Sequence, residues 1–343
     1  MKIQRQKSNN VTLTGDSLAF KLSSLFSFPL SLIKGTRRRT LTNIPTFPDY
    51  CKLNFLKPEN LAPFTEHLLP HSDFSYSNLW SWNIGDKFKF SILNDNLVIT
   101  FYDYETEEPF LYFVGKYKIN ETAKELILFA NNNGYSRTLN LIPEDIALNL
   151  DKSLFLVEED RDYHDYIFSV ANLAELAGNK YKSKRQLAAQ FSRNYPNYQF
   201  KQIILDTQAK KTTLDFLKKE NLKRASSDKA YYLECESAAL EDFFSMEDDG
   251  RTYVSHLYNE GELVGISIDE ITEHGFSMSH FFKVDLSYKG AYDTLNSLVA
   301  QKLKTSGCLY WNWAEDVGVE KLRTAKMSYR PVKFLKKYKV SLI

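Results

Sequence analysis

The order of predicted secondary-structure elements occurs twice along the 343-residue chain, and this repetition constrains the fold more than any other feature. In each half, apolar spacing predicts a helix, three antiparallel strands, a helix, a strand, a short helix and a final strand. The first half takes these elements from residues 58–69, 87–93, 96–104, 109–117, 121–131, 138–142, 143–150 and 154–159, and the second from residues 171–177, 185–195, 237–244, 251–259, 263–271, 276–284, 292–303, 308–313, 319–327 and 332–340. A repeated element order without obvious sequence identity indicates a tandem repeat of one α+β fold, each copy a mixed, mostly antiparallel sheet flanked by helices.

Length and composition agree with two domains. A chain of 343 residues is long enough to build two separate hydrophobic cores. Its 43% hydrophobic and 25% charged residues exclude an intrinsically disordered protein. We therefore predict a first domain over residues 46–165 and a second domain, which carries the functional site, over residues 166–343. A hinge is expected near residues 160–170.

The N-terminal segment, residues 1–45, is set apart by its charge. It holds eight lysines and arginines and one aspartate, a net charge of +7, whereas the whole chain carries +1. An apolar run over residues 17–33 precedes three consecutive arginines at positions 37–39. This pattern is typical of a segment that contacts an anionic membrane surface. A poorly ordered extension has the same composition, so both interpretations stay open.

Several classes of protein are excluded by what the sequence lacks. The three cysteines lie far apart, as in a protein of the reducing cytoplasm, and predict neither a disulfide framework nor a zinc site. The six histidines show no metal-ligand spacing, so we predict no metal. No run approaches the roughly 18 consecutive apolar residues of a membrane-spanning helix. The near-neutral charge excludes a globally basic nucleic-acid-binding protein, although it leaves room for a local basic patch.

The element order of each half is that of the GNAT acyltransferases, in which one strand splays from its neighbour and leaves a groove. In GNAT enzymes that use coenzyme A, the turn after the central strand offers bare backbone amides to the diphosphate. The equivalent turn here is residues 285–292, where Gly290 fits the pattern. Ser287 replaces the usual cation or amide, and Tyr292 fills the second small position. A tyrosine ring would crowd the diphosphate, so the sequence disfavours coenzyme A, and no other cofactor is predicted.

Two charged clusters are candidates for ligand binding. The segment Asn312–Asp316 ends a predicted strand and precedes a helix that carries Arg323 and Lys326. Such a mixed-sign group suits a polar ligand, but an exposed ion-pair network has the same composition. The second cluster, Lys180–Arg185, could neutralise the phosphates of a tRNA, or could be a solvated helix start. Its candidate phosphate-binding residues are Lys180, Lys184 and Arg185.

At these residues the sequence resembles a known family. Four segments carry the resemblance: EEDRDYHDYIF at 158–168, LAGNKYKSKRQLAAQF at 176–191, HFFKVDLSYKGAYDTLN at 280–296, and NWAEDVGVEKLRTAKMSYRPV at 312–332. They are similar to motifs of the bacterial family grouped with the C-terminal domain of phosphatidylglycerol lysyltransferase, a tandem-GNAT relative of the aminoacyltransferases. The resemblance runs from about residue 46 to the end. It implies transfer of an aminoacyl group from a charged tRNA, the candidate donor, to an amine or hydroxyl acceptor.

The resemblance also implies roles for individual residues. His280 is the candidate base, Glu315 or Asp316 would hold the donor's ammonium group, and Arg323 and Lys326 would face phosphate. The other matched positions, assigned to substrate binding, are Lys283, Asn296, Asn312 and Tyr329. Two family carboxylates are replaced, by Phe282 and by Ala314. Two rivals therefore stay open: a GNAT-fold binding module for a nucleic acid or lipid headgroup, and a coenzyme-A-dependent acyltransferase, which Tyr292 disfavours.

Overall fold

The computed structural model describes residues 43–102, 108–224, 230–247 and 250–343; the predicted N-terminal segment lies almost wholly outside these residues. The strands are β1 Cys51–Lys52, β2 Lys89–Leu93, β3 Asn96–Tyr102, β4 Pro109–Val114, β5 Leu139–Pro143, β6 Phe155–Glu159, β7 Asp165–Ser169, β8 Tyr198–Ile203, β9 Thr252–Asn259, β10 Glu262–Ile271, β11 Phe276–Val284, β12 Tyr310–Asn312, β13 Lys333–Leu335 and β14 Lys337–Leu342. The helices are α1 Pro58–Thr65, α2 Tyr76–Ser81, α3 Ile119–Asn133, α4 Glu144–Ala147, α5 Val170–Glu175, α6 Lys182–Asn194, α7 Thr207–Arg224, α8 Ala230–Ser245, α9 Ala291–Thr305 and α10 Glu320–Ser328.

The strands form two seven-stranded sheets with the same topology, which confirms the predicted tandem GNAT-like α+β fold. The first sheet has the order β1-β2-β3-β4-β5-β14-β6, and the second, in the same direction, β8-β9-β10-β11-β12-β7-β13. Each contains one parallel pair, β4 with β5 and β11 with β12, among antiparallel neighbours. In each sheet a helix, α3 or α9, connects these two parallel strands, as a parallel pair requires.

The two sheets exchange their last strands. The chain passes from β6 in the first sheet directly to β7, which lies in the second sheet between β12 and β13. It later passes from β13 in the second sheet to β14, which lies in the first sheet between β5 and β6. The sequence places residues 332–340 in one terminal strand of the second domain, whereas the structure divides them between both sheets. Each sheet is therefore completed by a strand from the opposite half of the chain.

Hydrophobic burial explains why β14 belongs to the first sheet. Val340 of β14 is fully buried in a cluster that also contains Leu97 and Phe113 from β3 and β4 and Leu126 from α3. Burying a valine side chain stabilises the fold by roughly 1.5–3 kcal/mol. The terminal strand is thus part of the first core.

The second half contains elements that the apolar spacing did not reveal. Helix α7 is rich in lysine and buries few large side chains, chiefly Phe216 and Leu217, so its helical period is weak in the sequence. Strand β8 forms the edge of the second sheet, and none of its side chains is fully buried. Helices α7 and α8 pack beside β11, and this position brings them to the wall of the site described next.

Candidate functional site

A cavity opens where β12 leaves β11. The two strands pair only from Phe276 to Met278, while β11 continues to Val284 without a partner on that side among the described residues. Four side chains of this unpaired stretch line the cavity: Ser279, His280, Phe282 and Lys283. The inner cavity has a volume of about 410 Å³, and an outer cavity of about 1130 Å³ shares part of its wall. The splayed strand predicted for this fold therefore borders a real cavity that is open to solvent.

A buried lysine is surrounded by three carboxylates, two of which line both cavities. Lys337, the first residue of β14, is fully buried, and its Nζ lies 2.8 Å from Asp165 Oδ1 and 3.7 Å from Glu315 Oε2. It also forms an ion pair with Asp73. Asp73 and Glu315 line both cavities. We call these four residues the Lys337 cluster; its three carboxylates outnumber its one ammonium group, while Lys326 adds a second cation beside Glu315.

Burial and charge act differently on the members of the Lys337 cluster. Burial raises the pKa of Asp73 to about 7, although the neighbouring ammonium opposes this shift. Burial would also raise the pKa of Asp165, but the charge of Lys337 and hydrogen bonds lower it to about 2. Asp165 accepts hydrogen bonds from Ser72 Oγ at 2.7 Å and from Asn312 Nδ2 at 2.9 Å. Asp165 is therefore the fixed anion, and Asp73 is the carboxylate that can exchange a proton near neutral pH.

His280, the predicted base, lies in the inner cavity wall with both ring nitrogens engaged. Nε2 lies 2.9 Å from Glu270 Oε2, and Nδ1 lies 2.8 Å from Asn78 Oδ1. Both partners are acceptors, so the ring is held between the second sheet and helix α2 of the first half. Both ring nitrogens are thus engaged within the protein, and the assignment of His280 as the base stays a prediction.

Glu315, Lys283, Asn296 and Lys326 also lie in the inner cavity wall. The Lys326 ammonium group donates to the backbone oxygens of Trp313 at 2.5 Å and Glu315 at 2.6 Å. Burial lowers the pKa of Lys326 to about 8. Because its donors are taken by these carbonyls, Lys326 fixes the loop that presents the Glu315 carboxylate.

Asn312 lies below this wall. Its Nδ2 donates to Pro70 O and to Asp165 Oδ2, each at 2.9 Å, and its Oδ1 accepts from Ala314 N at 2.8 Å. All of its polar atoms are engaged within the protein. Asn312 therefore ties the loop after β12 to the first half of the chain.

Asp316 and Arg323 form an ion pair that does not line either cavity. The guanidinium group bonds to both carboxylate oxygens, Nε to Oδ2 at 3.0 Å and Nη2 to Oδ1 at 2.7 Å. Asp316 is fully buried and also accepts from Tyr166 Oη at 2.5 Å and Gly318 N at 3.0 Å. Of the two interpretations left open by the sequence, this geometry matches the ion-pair network.

Replacing Asp316 should therefore cost stability rather than ligand binding. Asp316→Ala leaves Arg323 and Tyr166 without their shared acceptor, and we expect a loss of about 3–5 kcal/mol in the free energy of unfolding. Arg323→Ala should also lower stability. Urea unfolding gives both values, and ligand binding measured on the folded fraction should be unchanged. Lost binding at unchanged stability would instead make the pair part of the site.

The predicted basic cluster is not brought together. Only Lys184 lines the outer cavity, where its ammonium lies 3.9 Å from the ring centroid of Tyr329. Tyr329 is buried there and donates to Asp293 Oδ1 at 2.6 Å. Arg185 donates to the backbone oxygens of Leu176 and Gly178, and Lys180 is exposed beside the Tyr181 ring. Most of the predicted cluster therefore lies at the start of helix α6, and Lys184 is its one member in the wall of a described cavity.

The turn that would hold a diphosphate is occupied in both halves. Gly290 has φ +87°, and a Cβ there would lie 2.2 Å from the backbone oxygen of Leu187 in α6. The lack of a side chain at this position therefore allows α6 to pack closely against the turn. The Tyr292 ring, expected to crowd the turn, packs instead against Phe282 at 5.0 Å between centroids. In the first half, the Asn96 side chain fills the equivalent turn, where it bonds to Tyr117 N and O.

The residues that the sequence did not single out come mainly from the first half and the last strand. Asp73 has no motif around it, and Lys337 sits in a strand whose charged residues suggest an exposed face. Glu236 of α8, which forms an ion pair with Lys283, was also missed. The motif over residues 158–168 contained Asp165, but only the strand exchange brings that carboxylate to Lys337.

Comparison with known proteins places this site in context. A family model described as phosphatidylglycerol lysyltransferase, C-terminal, matches residues 66–341. A conserved protein of unknown function from Bacteroides thetaiotaomicron is 27% identical, with a TM-score of 0.70 over 83% of this chain and 96% of that chain. L-PGS from Bacillus licheniformis (16% identity, TM-score 0.54, 83% and 91% covered) and a DUF2156 C-terminal domain from Agrobacterium fabrum (12%, 0.53, 77% and 86%) share the fold. No curated protein matches the chain. Within the described parts of the chain, every helix is too short or too polar to cross a bilayer.

Proposed function

The chain belongs to the phosphatidylglycerol lysyltransferase C-terminal family, and on this premise we propose that it transfers an aminoacyl group from a charged tRNA to the hydroxyl of a lipid headgroup. The observation that carries the proposal is the Lys337 cluster at the junction of the two cavities. Its excess of carboxylates suits an ammonium-bearing acyl group in the inner cavity. The reaction would take place in the cytoplasm, where charged tRNA is found.

The proposed transfer needs no cofactor. The acceptor oxygen forms a bond to the acyl carbon, the ester bond to the tRNA ribose breaks, and the acceptor's proton ends on the ribose oxygen. Asp73 is suited to carry that proton, because burial holds its pKa at about 7 and it faces both cavities. Glu315, beside it, would hold the ammonium group of the acyl moiety. Nothing in this route requires an activated serine or cysteine.

The outer cavity supports a lipid acceptor. Its wall is mostly apolar, with Phe110, Leu141 and Leu233 among its members, and its volume of about 1130 Å³ exceeds what a headgroup alone needs. Coenzyme A is disfavoured because the diphosphate turns are filled by α6 and by Asn96. The basic segment over residues 1–45 remains a prediction for peripheral contact with an anionic membrane.

A binding module is the second candidate, and two residues favour it. Phe282 and Ala314, which replace family carboxylates, both line the inner cavity. In this alternative the cavity binds the end of a nucleic acid or a lipid headgroup but catalyses no reaction of it. Glu315, next to Ala314, is the residue on which the choice depends, since it keeps one carboxylate in the loop.

The test combines binding with transfer. We expect lysyl-tRNA to bind more tightly than uncharged tRNA, acetyl-coenzyme A not to bind, and radiolabelled lysine to pass to phosphatidylglycerol in vesicles. Glu315→Gln should lower the transfer rate about tenfold or more, the effect of losing one charge-assisted contact of about 1.4 kcal/mol. Glu320→Gln, at the start of the next helix and outside both cavity walls, is the matched control. Equal binding of both tRNAs without transfer would favour the binding module. Tight binding of acetyl-coenzyme A would contradict the proposal that charged tRNA is the donor.

A further inference from the structure

A second buried ion pair, besides the Lys337 cluster, lines the inner cavity. Lys283 Nζ lies 2.6 Å from Glu236 Oε2, with side chains only 7% and 13% exposed. Both residues line the inner cavity, and Lys283 also lines the outer one. Burial lowers the pKa of Lys283, and the charge of Glu236 opposes that shift. The pair therefore places a cation, with one removable counter-ion, where the two cavities meet.

A second cation adjoins this pair. Arg224, the last residue of α7, lines both cavities and donates through Nη2 to the backbone oxygen of Val284, next to Lys283. Its charge lies close enough to lower the pKa of Lys283. Two cations held side by side in a cavity wall repel each other, so the arrangement is most stable when an anion lies between them. In this structure the Glu236 carboxylate supplies most of that negative charge, and the charge of Glu220 adds to it.

We propose that Lys283 and Arg224 form a phosphate-binding subsite, and that Glu236 occupies the place of the phosphodiester of a lipid headgroup until that ligand binds. This rests on the proposed function, because it assigns the polar part of the acceptor to a position whose apolar part would extend into the outer cavity. A buried ion pair adds little stability relative to well-packed apolar side chains, so stability alone does not explain charges in this wall. An arginine and a lysine together are well suited to a phosphate group.

The position of the pair favours a lipid over the phosphates of an RNA. Lys283 and Arg224 face the mostly apolar outer cavity, in which Leu233 and Leu286 lie near them in the wall. Leu286 is 67% exposed, so an apolar rim extends beyond the cavity. A nucleic acid surface would instead be expected to carry rows of exposed cations. The bound phosphodiester would displace the Glu236 carboxylate, which α8 carries.

The test measures binding of glycerophosphoglycerol, the deacylated headgroup, to the full chain by calorimetry. Glu236→Gln removes the resident anion and should tighten binding about tenfold, whereas Lys283→Met should weaken it about tenfold or more. Glu241→Gln is the matched control, since Glu241 lies on the same helix in an exposed ion pair with Lys218, 2.5 Å away. Adenosine monophosphate is the probe for an RNA end. Its affinity should change less on the Glu236→Gln substitution than the affinity of the headgroup does.

Several results would overturn the proposal. Unchanged or weaker headgroup binding by Glu236→Gln would make Glu236 part of the site or a structural partner, and a larger response to adenosine monophosphate would assign the subsite to RNA. If Glu236→Gln folds poorly, Glu236→Asp, which keeps the charge but shortens the side chain, should bind more tightly than the unaltered protein and less tightly than Glu236→Gln. Headgroup binding that follows these variants without any lysine transfer would sustain the subsite and reject the proposed function. Lysine transfer together with headgroup binding that these variants leave unchanged would support the proposed function and reject the subsite.

Discussion

A chain that ends at Leu335 is expected not to form the first sheet. The deletion removes β14, which lies between β5 and β6 and pairs with both. Both ladders would lose their partner in the interior of the sheet, and Val340 would leave the first core. Since exposing the unpaired edges of two strands also favours aggregation, we expect insoluble protein or the loss of a cooperative unfolding transition. Circular dichroism during urea unfolding provides the measurement.

A rewired chain is the control for this deletion. Tyr338 lies opposite Glu159 in antiparallel register, so the end of β6 and the start of β14 are adjacent. Residues 43–160 alone should not fold, because they lack β14. Joining them through a two-residue Asn-Gly turn to residues 337–343 should restore a folded first repeat, since such a turn connects antiparallel neighbours. Cooperative unfolding of residues 43–160 alone would show that the exchanged strand is dispensable.

The sequence predicts the fold well, because its strongest signals are local. The alternation in residues 87–102 and the helical stripe in residues 292–303 each depend on nearby side chains. Strand exchange is not a local property: β13 and β14 are separated by the single residue Lys336, and no pattern in either strand indicates which sheet it joins. No pattern in β6 or β7 indicates its sheet either, although five residues separate these two strands. The predicted hairpin strands and the helix that follows them in each half match the structure, while helix α7, strand β8 and the partner of the last strand required the three-dimensional structure.

The candidate site was predicted in part for the same reason. Motif residues on β11 and in the loop after β12, such as His280 and Glu315, do lie in the cavity wall, since that loop follows the splayed strand. Asp73 comes from the other half of the chain and has no motif. Lys337 and Lys339 are two residues apart, yet the first is fully buried and the second 45% exposed. A shift in strand register between Tyr338 and Val340 breaks the alternation that the sequence alone would suggest.

Lys337→Met is expected to destabilise the protein more than any single substitution of a residue that lines the cavities. Methionine keeps the length of the side chain but leaves Asp73, Asp165 and Glu315 without their shared ammonium group. Removing one partner of a buried ion pair costs about 3–5 kcal/mol, because the remaining charges stay away from water. Lys336→Met is the matched control: Lys336 is 36% exposed, and its ion pair with Glu159 is on the surface. The control should unfold at nearly the same urea concentration as the unaltered protein.

The pH dependence of the Lys337→Met defect identifies its cause. In the unaltered protein the pKa of Asp165 is about 2, below its value of about 3.9 in the unfolded chain, so its contribution is present above pH 4 and lost as pH falls through 2. Without the ammonium group, burial raises the pKa of Asp165 above the unfolded value. The folded variant then binds more protons than its unfolded chain, and its stability falls as pH rises from 4.

The stability difference between Lys337→Met and the unaltered protein should therefore be smaller near pH 4.5 than at pH 8, because the variant loses further stability as pH rises between these values. Urea unfolding at both values measures it. A methionine that merely packed badly would cost the same free energy at both pH values, since no proton is taken up. A constant difference would thus show that Lys337 acts through its packing, and that the three carboxylates are not held as a charged group. A difference that grows with pH would show that the buried ammonium group of Lys337 keeps the carboxylates of the Lys337 cluster charged. The carboxylate of Asp73, which faces both cavities, is one of them.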